Sequence, residues 1–244
     1  MHFEILNSSK EILDYEFHGD PTDSSLLVII GHGVTGNKDR PWAIALAESL
    51  AENGFNALRF SFAGNGNSEG KFEACTISKE VRDLKAIVDA AENEGYHRIC
   101  YVGHSMGGAV GVLAAAKDER IELLISLAGM VHTKKFCETE FGDVTPGEGN
   151  MWEEEGCPLS KAYVDDMVKI NTLVNKTEKI EVPWLFVHGD KDDVVPVEEG
   201  QEMYAAAYEP KELVILEGAN HIFSGDAESR MTESVISWLK THHS

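Results

Sequence analysis

Residues 99–116 read ICYVGHSMGGAVGVLAAA, and they constrain the fold more than any other stretch of the chain. An apolar run leads into GHSMG, and small apolar residues follow at once. The pattern predicts a strand, a tight turn and a helix, with Ser105 at the apex of a G-x-S-x-G nucleophile elbow. Glycines at 103 and 107 are expected because the backbone of such a turn lies too close to its neighbours for side chains. A strained backbone conformation at Ser105 would direct its hydroxyl out above the sheet. A plain glycine-rich turn would show the same five residues, so the assignment depends on motifs elsewhere.

The composition indicates one acidic α/β domain. The chain has 244 residues, 43% of them hydrophobic, and a formal net charge of −21 from 42 acidic and 21 basic residues. Without a basic patch, nucleic acid and anionic membrane surfaces are poor partners. The N-terminal residues lack the features of a signal peptide, and no apolar run is long enough for a membrane span. We therefore expect a cytoplasmic protein.

The four cysteines indicate neither a metal site nor a redox motif. Cys75, Cys100, Cys137 and Cys157 have no zinc-type or C-x-x-C spacing. Cys100, in the strand before Ser105, is expected to be a buried thiol. Cys137 and Cys157 would pair only in an oxidising compartment. No metal or cofactor is expected.

Apolar runs alternate with amphipathic segments along most of the chain. The continuous apolar run at 26–30 is typical of a strand buried on both faces. Further strands are predicted at 55–62 and 123–128, the second of them buried, and 77–94 has the period of an amphipathic helix. Alternating segments at 3–6 and 11–17 predict a hairpin. The expected fold is α/β, with a mostly parallel sheet, helices on both faces, and ligands bound beyond the carboxyl ends of the strands.

This alternation stops between residues 131 and 180. The stretch contains glycines, two prolines and an acidic cluster, and a helix is predicted only over 160–173. Because ordinary connections are a handful of residues long, we interpret 131–180 as a cap inserted into a core domain formed by 1–130 and 181–244.

Two later loops carry the groups that a nucleophilic serine needs. A serine hydroxyl requires a base, and the base requires a carboxylate that holds its tautomer. HGDKDDVVP (188–196) follows one predicted strand, and EGANHIF (217–223) follows the last. Both lie at strand ends, in the chain order serine, acid, histidine.

With these motifs the chain resembles the α/β-hydrolase family over nearly its whole length outside 131–180. The resemblance rests on GHSMG, HGDKDDVVP, GANHIF and the HGVTGNK that follows the first buried strand. It implies Ser105 as nucleophile, Asp192 as the acid and His221 as general base. The competing acids are Asp190, expected to shape its loop, and Asp193, expected to cap a turn. The competing histidines His32, His104 and His188 are expected to be structural imidazoles.

The resemblance also implies an oxyanion hole made of two backbone N–H groups. One belongs to Met106, which follows the nucleophile, and the other to Val34, which follows His32-Gly33. A phosphate-binding loop is excluded because Gly36 is followed by Asn37-Lys38 rather than directly by Lys-Ser/Thr.

Within 131–180 the chain reads FGDV (141–144), MWEEEG (151–156) and PLSKAYVDDMVKI (158–170). This order resembles the inserted subdomain of cinnamoyl and feruloyl esterases. That likeness implies that Tyr163 and Asp143 contact a phenolic hydroxyl of the substrate. Those esterases often have Gln after the serine, whereas Met106 is typical of monoacylglycerol-lipase-like and other carboxylesterases.

The predicted function is hydrolysis of small to medium carboxylic esters, with hydroxycinnamoyl esters as candidates, through an acyl-enzyme. A peptidase or amidase of the same fold and a non-catalytic ligand-binding protein are the alternatives. The expected partner is a small-molecule ester, and the protein is expected to be a monomer or homodimer.

Overall fold

A computed structural model describes residues 4–243. The strands are β1 Ile5–Leu6, β2 Ile12–Leu13, β3 Tyr15–His18, β4 Leu27–Gly31, β5 Asn56–Phe60, β6 Ile99–His104, β7 Ile121–Leu127, β8 Trp184–Gly189 and β9 Lys211–Leu216. The α-helices are α1 Pro41–Glu52, α2 Ile77–Asn93, α3 Met106–Ala115, α4 Thr133–Phe141, α5 Lys161–Ile170, α6 Val197–Ala206 and α7 Asp226–His242. Short 3₁₀ helices span Phe72–Ala74, Met151–Glu153 and Val174–Lys179.

The central sheet has the strand order β3-β5-β4-β6-β7-β8-β9. β3 pairs with β5 in antiparallel fashion at one edge, and all other neighbours are parallel. The predicted fold class, a mostly parallel sheet with helices on both faces, is confirmed.

Two apolar cores lie on opposite faces of this sheet, and β4 shows how the sequence fills both. Leu27 and Ile29 belong to the core covered by α2 and α3, and Val28 and Ile30 to the core covered by α1 and α7. Successive strand side chains point to opposite faces. A strand covered on both sides is therefore apolar at every position, as the run at 26–30 predicted.

The N-terminal strands differ from the predicted hairpin. β1 pairs with β2, but the predicted strand 11–17 divides at Asp14, and β3 leaves to join the central sheet. The cause is local: the N–H of Asp14 donates to Ser68 Oγ at 2.8 Å, and its carbonyl accepts from the N–H of Ser61. Phe3, where the hairpin was predicted to begin, lies outside the described residues.

The segment 131–180 connects β7 to β8 and is built mainly from α4 and α5, which pack on each other. Ser160 caps α5 by accepting the N–H of Tyr163 at 3.1 Å. The helix ends at Ile170, earlier than predicted, because Asn171 has a φ of +63°. α4 was not predicted.

Cys137 and Cys157 are both free thiols, and burial raises the pKa of Cys137 to about 11. Across residues 4–243, every helix is too short or too polar to cross a membrane.

Candidate active site

Ser105 stands at the turn between β6 and α3, where its backbone has a φ of +53° and a ψ of −120°. A non-glycine residue in this region is strained, and surrounding contacts must hold it. The carbonyl of Ser105 accepts the N–H groups of Gly108 and Met130 at 2.9 and 3.0 Å. A Cβ on Gly103 would lie 2.2 Å from Gly107 O, so the crowding predicted for the two flanking glycines is present.

Asp192 and His221 are joined by a hydrogen bond. His221 Nδ1 donates to Asp192 Oδ2 at 2.8 Å, and the Asp192 side chain is fully buried. Asp192 Oδ1 accepts two backbone N–H groups, from Val194 at 3.0 Å and Val195 at 2.8 Å. Burial opposes ionisation of Asp192, but hydrogen bonds from His188 and His221 outweigh it and hold the pKa well below the ordinary aspartate value. The group beside His221 is therefore a stable carboxylate.

The two competing acids occupy other positions. Asp190 Oδ1 accepts the N–H of Gly218 at 2.6 Å, which ties the loop after β8 to the turn after β9. Asp193 is exposed to solvent. Neither hydrogen-bonds to His221.

The loop after β4, residues 32–40, carries the Val34 N–H that is proposed as an oxyanion donor and is called the oxyanion loop below. It lies directly against Ser105. A Cβ on Gly33 would lie 2.8 Å from Ser105 Cβ and 3.3 Å from its Oγ, so only glycine allows this approach. Val34 borders the same cavity as Ser105. Met106 is the first residue of α3, and its N–H has no acceptor within the helix. Both predicted oxyanion donors thus come from backbone beside the serine.

The three other histidines at strand ends are buried, and each binds backbone of the site. His32 Nδ1 donates to Gly33 O at 2.8 Å, and His32 Nε2 accepts the N–H of Phe62 at 3.0 Å. His104 Nε2 donates to His221 O at 2.8 Å. His188 Nε2 donates to Val195 O at 2.9 Å and lies 3.2 Å from Asp192 Oδ2. They are hydrogen-bonded imidazoles, as predicted, but each supports one element around Ser105, which motif position alone did not indicate.

Ser105 and His221 face one cavity of about 560 Å³. In residues 4–243, Ser105 Oγ has no hydrogen-bond partner; such contacts are often loose before substrate binds. The sequence did not single out the side chains that form the cavity walls, although Trp42 follows the oxyanion loop closely and Ile222 adjoins His221. These walls include Arg40, Trp42, Trp152, Val194, Ile222 and Glu228.

Trp152 brings the segment 131–180 to this cavity. Trp152 and Glu153 have φ values of +48° and +59°, and Trp152 Nε1 donates to Glu140 at 2.8 Å. No composition or periodicity signal marks such a turn in advance.

Tyr163 and Asp143 do not line the cavity of Ser105. Tyr163 is buried, packs near Phe141, and its hydroxyl makes no hydrogen bond to any described residue. Burial raises the pKa of Tyr163 well above that of a free phenol. Asp143 is exposed on the surface of the segment. Among residues 4–243, no cluster of His, Cys, Asp and Glu side chains could hold a metal ion.

Solved esterase structures share this architecture. The chain is 28% identical to Est1E from Butyrivibrio proteoclasticus, solved with ferulic acid bound, with 99% of each chain covered and a TM-score of 0.88. A second Est1E structure gives 26% identity, 97% coverage of each chain and a TM-score of 0.82. The Pyrococcus furiosus esterase Pf2001, at 23% identity, 99% and 92% coverage and a TM-score of 0.78, shows the common fold.

Among curated proteins, the bovine (Bos taurus) mitochondrial palmitoyl-protein thioesterase ABHD10 is 30% identical over 182 residues. That match covers 69% of this chain but only 58% of the relative's length. Esterase-type hydrolases are thus among both the structural and the sequence relatives.

The family model described as the prolyl oligopeptidase family matches residues 43–244, which include the elbow, the Asp192 loop and the His221 loop. Together with the strand order and the esterase-type structures, this match shows that the chain has the α/β-hydrolase fold and belongs to the prolyl oligopeptidase family.

Proposed function

We propose that the protein hydrolyses carboxylic esters through an acyl-enzyme formed on Ser105. The observation that carries the proposal is the 2.8 Å hydrogen bond from His221 Nδ1 to the buried Asp192. His221 borders the same cavity as Ser105. A serine, a histidine and a carboxylate in these roles are the groups that nucleophilic acyl transfer needs.

In the proposed first half-reaction, Ser105 Oγ attacks the ester carbonyl carbon. Because Nδ1 of His221 carries its proton toward Asp192, Nε2 is the nitrogen that accepts the serine proton. The Ser105 Oγ–carbon bond forms, the alcohol–carbon bond breaks, and His221 returns the proton to the leaving alcohol. Water then attacks the acyl-enzyme by the reverse sequence of proton transfers, which releases the acid and restores Ser105.

The carbonyl oxygen becomes negatively charged in both tetrahedral intermediates. We assign the Val34 and Met106 N–H groups as the donors that stabilise this charge. Fixed donors at a developing oxyanion are usually the largest single contribution to acyl transfer.

Hydroxycinnamoyl esters are the proposed candidate acyl class. Two observations support them: the ferulic acid in the Est1E structure, and a cavity wall that contains Trp42 and Trp152. A phenol contact by Tyr163 or Asp143 would require the segment 131–180 to rearrange, since neither side chain borders the cavity.

We further propose that 131–180 acts as a cap that selects the substrate. It lies between β7 and β8 and carries Trp152 to the cavity of Ser105.

The test is a Ser105→Ala variant assayed on p-nitrophenyl acetate and challenged with a fluorophosphonate probe. We expect the variant to lose at least a thousandfold in kcat/KM and all labelling. Ser229→Ala, at an exposed serine on α7, is the matched control and should behave as wild type. Labelling that persists in Ser105→Ala would disprove the nucleophile, and a wild-type protein without labelling or turnover would support the ligand-binding alternative.

Amide hydrolysis is the second candidate, because the family that contains this chain is described as a peptidase family. A panel of short acyl, long acyl and hydroxycinnamoyl esters, a palmitoyl thioester and amino-acid p-nitroanilides separates the candidates. We expect the highest kcat/KM on an ester. Faster turnover of an anilide would favour the peptidase.

A further inference from the structure

Asp192 lies between two imidazoles. His221 Nδ1 approaches Oδ2 at 2.8 Å from the loop after β9, and His188 Nε2 approaches the same oxygen at 3.2 Å from the end of β8. Oδ1 is occupied by the backbone N–H groups of Val194 and Val195. The carboxylate therefore faces donors on both oxygens, and one donor is a side chain that the proposed reaction does not use.

The proton on His188 can be placed from its partners. Nε2 lies 2.9 Å from the carbonyl oxygen of Val195, and a carbonyl can only accept, so Nε2 carries the hydrogen. The same Nε2 lies 3.2 Å from Asp192 Oδ2. His188 thus joins both ends of the turn 192–195, since it touches the carboxylate at one end and the Val195 carbonyl at the other.

The position of His188 is itself confined. The His188 side chain is 3% exposed, and a Cβ on Gly200 of α6 would lie 2.6 Å from its Nδ1. The imidazole therefore has little room to turn away from Asp192.

We infer that His188 is a positioning residue for the acid of the triad, and that its N–H moderates the negative charge that Asp192 presents to His221. This inference rests on the proposed function. A donor shared with the same carboxylate oxygen compensates part of its charge, so less remains to favour a protonated His221. Without His188, the carboxylate would hold an imidazolium more firmly and the base would be unprotonated over a narrower pH range.

Other ionisable groups also face His221 and stay in place in the test. His104 at the end of β6 donates to its carbonyl, Arg40 lines the cavity from the oxyanion loop, and Glu228 lines it from α7. On the other side of His188 lies α6, which carries Gly200. The residue before Gly200 is Glu199, and its carboxylate forms an ion pair with Lys135.

The experiment measures kcat/KM against pH for His188→Leu, which removes the donor. The acid limb of that profile reports the imidazole that must accept the serine proton. We expect the limb to move up by about half a pH unit and the plateau to fall about tenfold as Asp192 loses its orientation. His188→Gln, whose amide N–H can reach the same oxygen, should leave the limb in place.

Two further variants separate an effect on the position of Asp192 from a general loss of stability. Ser126→Ala removes the buried partner of Trp184 Nε1 on the neighbouring strand without touching Asp192. We expect it to lower stability and leave the limb unmoved. His188→Asn, whose amide is too short to reach Oδ2, should move the limb as His188→Leu does, and it covers the case in which His188→Leu does not fold.

The same effect can be measured without turnover, by NMR titration of His221 in a Ser105→Ala background. An upward shift in the Leu or Asn variant, absent in Gln and in Ser126→Ala, supports the inference. No shift, a downward shift, or an equal shift in Ser126→Ala overturns it. Failure of the proposed function appears separately, as a wild-type protein that neither reacts with the fluorophosphonate nor turns over the ester panel.

Discussion

The peptide unit between Gly33 and Val34 is held from its carbonyl side. Gly33 O accepts from His32 Nδ1 at 2.8 Å and from the N–H of Gly36 at 3.0 Å. A trans peptide is planar, with its C=O and N–H in opposite directions. The bonds on Gly33 O therefore set the direction of the Val34 N–H, so His32 orients one proposed oxyanion donor without touching substrate.

At the residue scale we predict that His32→Leu lowers kcat by about tenfold to a hundredfold with little change in KM, because only the transition state uses the donor. Steady-state kinetics on p-nitrophenyl acetate measure the two constants. His32→Asn is the matched control: its amide can still donate to Gly33 O but cannot accept the N–H of Phe62. Both variants should lose stability, and only His32→Leu should lose kcat. Equal losses of kcat would refute the orienting role.

Residue identities were predictable where a motif names both the side chain and its loop. Ser105, Asp192 and His221 were singled out from five- to nine-residue patterns. The structure brings Ser105 and His221 to one cavity and joins His221 to the buried Asp192. Tyr163 and Asp143 were selected by likeness within the segment 131–180, and the structure places both away from that cavity. Whether a helical tyrosine points inward or toward substrate depends on the packing of its neighbours, which one sequence does not contain.

At the scale of elements, the elbow and the oxyanion loop touch through backbone. A Cβ on Gly107 would lie 2.5 Å from His32 O and 2.8 Å from Gly31 O, and neither atom can move without shifting β4. α3 can therefore begin this close to the loop only if residue 107 has no side chain.

We predict that Gly107→Ala costs about 3 kcal/mol or more in the free energy of unfolding, and that any folded protein loses activity because the elbow and loop separate. Urea unfolding and ester turnover measure the two effects. Gly149→Ala serves as control, since its Cβ would meet only a methyl group of Val144, which can turn away. A Gly107→Ala protein with wild-type stability would contradict the close approach.

A glutamate without a hydrogen-bond partner among residues 4–243 is buried where α2 packs against α5. Glu80 is 1% exposed, and neither of its oxygens has a hydrogen-bond partner in the described chain. Burial, and then the nearby Asp83, raise its pKa well above that of an ordinary glutamate. The pKa of Glu80 is higher in the folded protein than in the unfolded chain. The contribution of Glu80 to stability is therefore complete below its unfolded pKa and is lost as pH rises through its folded pKa, where the buried carboxyl group must ionise.

We therefore predict that Glu80→Gln gains stability relative to wild type as pH rises from 5 to 9, by about 1 to 3 kcal/mol at the upper end. Thermal or urea unfolding across this range measures the difference. Glu73→Gln, at an exposed position nearby, should show no such trend. A constant difference between Glu80→Gln and wild type would mean that Glu80 does not titrate in this range.

Elements with their own periodic signal were predictable, and elements that depend on tertiary contacts were not. The run at 26–30 and the helix at 77–94 appear close to their predicted limits. α4 has no side-chain cap at its N-terminus and several charged residues, and Phe136 and Phe141 anchor it from the apolar side. Its stability comes from packing, so nothing local marks its beginning.

At the scale of the whole molecule, two buried histidines link the scaffold of the candidate site to acid stability. Burial lowers the pKa of His32 to about 4. Burial, and then the neighbouring His221, lower the pKa of His104 to about 3. Both values lie below the ordinary 6.5, so the unfolded chain binds protons that the folded chain excludes. The stability from these neutral imidazoles is complete above about pH 6.5 and is lost as pH falls toward the folded values.

We predict that each of these histidines contributes a fall of about 2 kcal/mol to the free energy of unfolding between pH 6.5 and 4.5. Carboxylates with lowered pKa, such as Asp192 and Asp39, lose their contribution only near and below pH 4. Glu80, with its raised pKa, changes stability in the opposite direction within this window, so the contribution of the histidine is taken from the difference between its variant and wild type.

In His104→Gln the amide N–H can still reach His221 O but cannot titrate, so its acid loss should be smaller than that of wild type by about 2 kcal/mol. His97→Gln, at an exposed histidine, should retain the full loss. Urea unfolding at half-unit steps of pH measures each curve, and a His104→Gln curve parallel to wild type would show that His104 does not stay neutral in the folded protein.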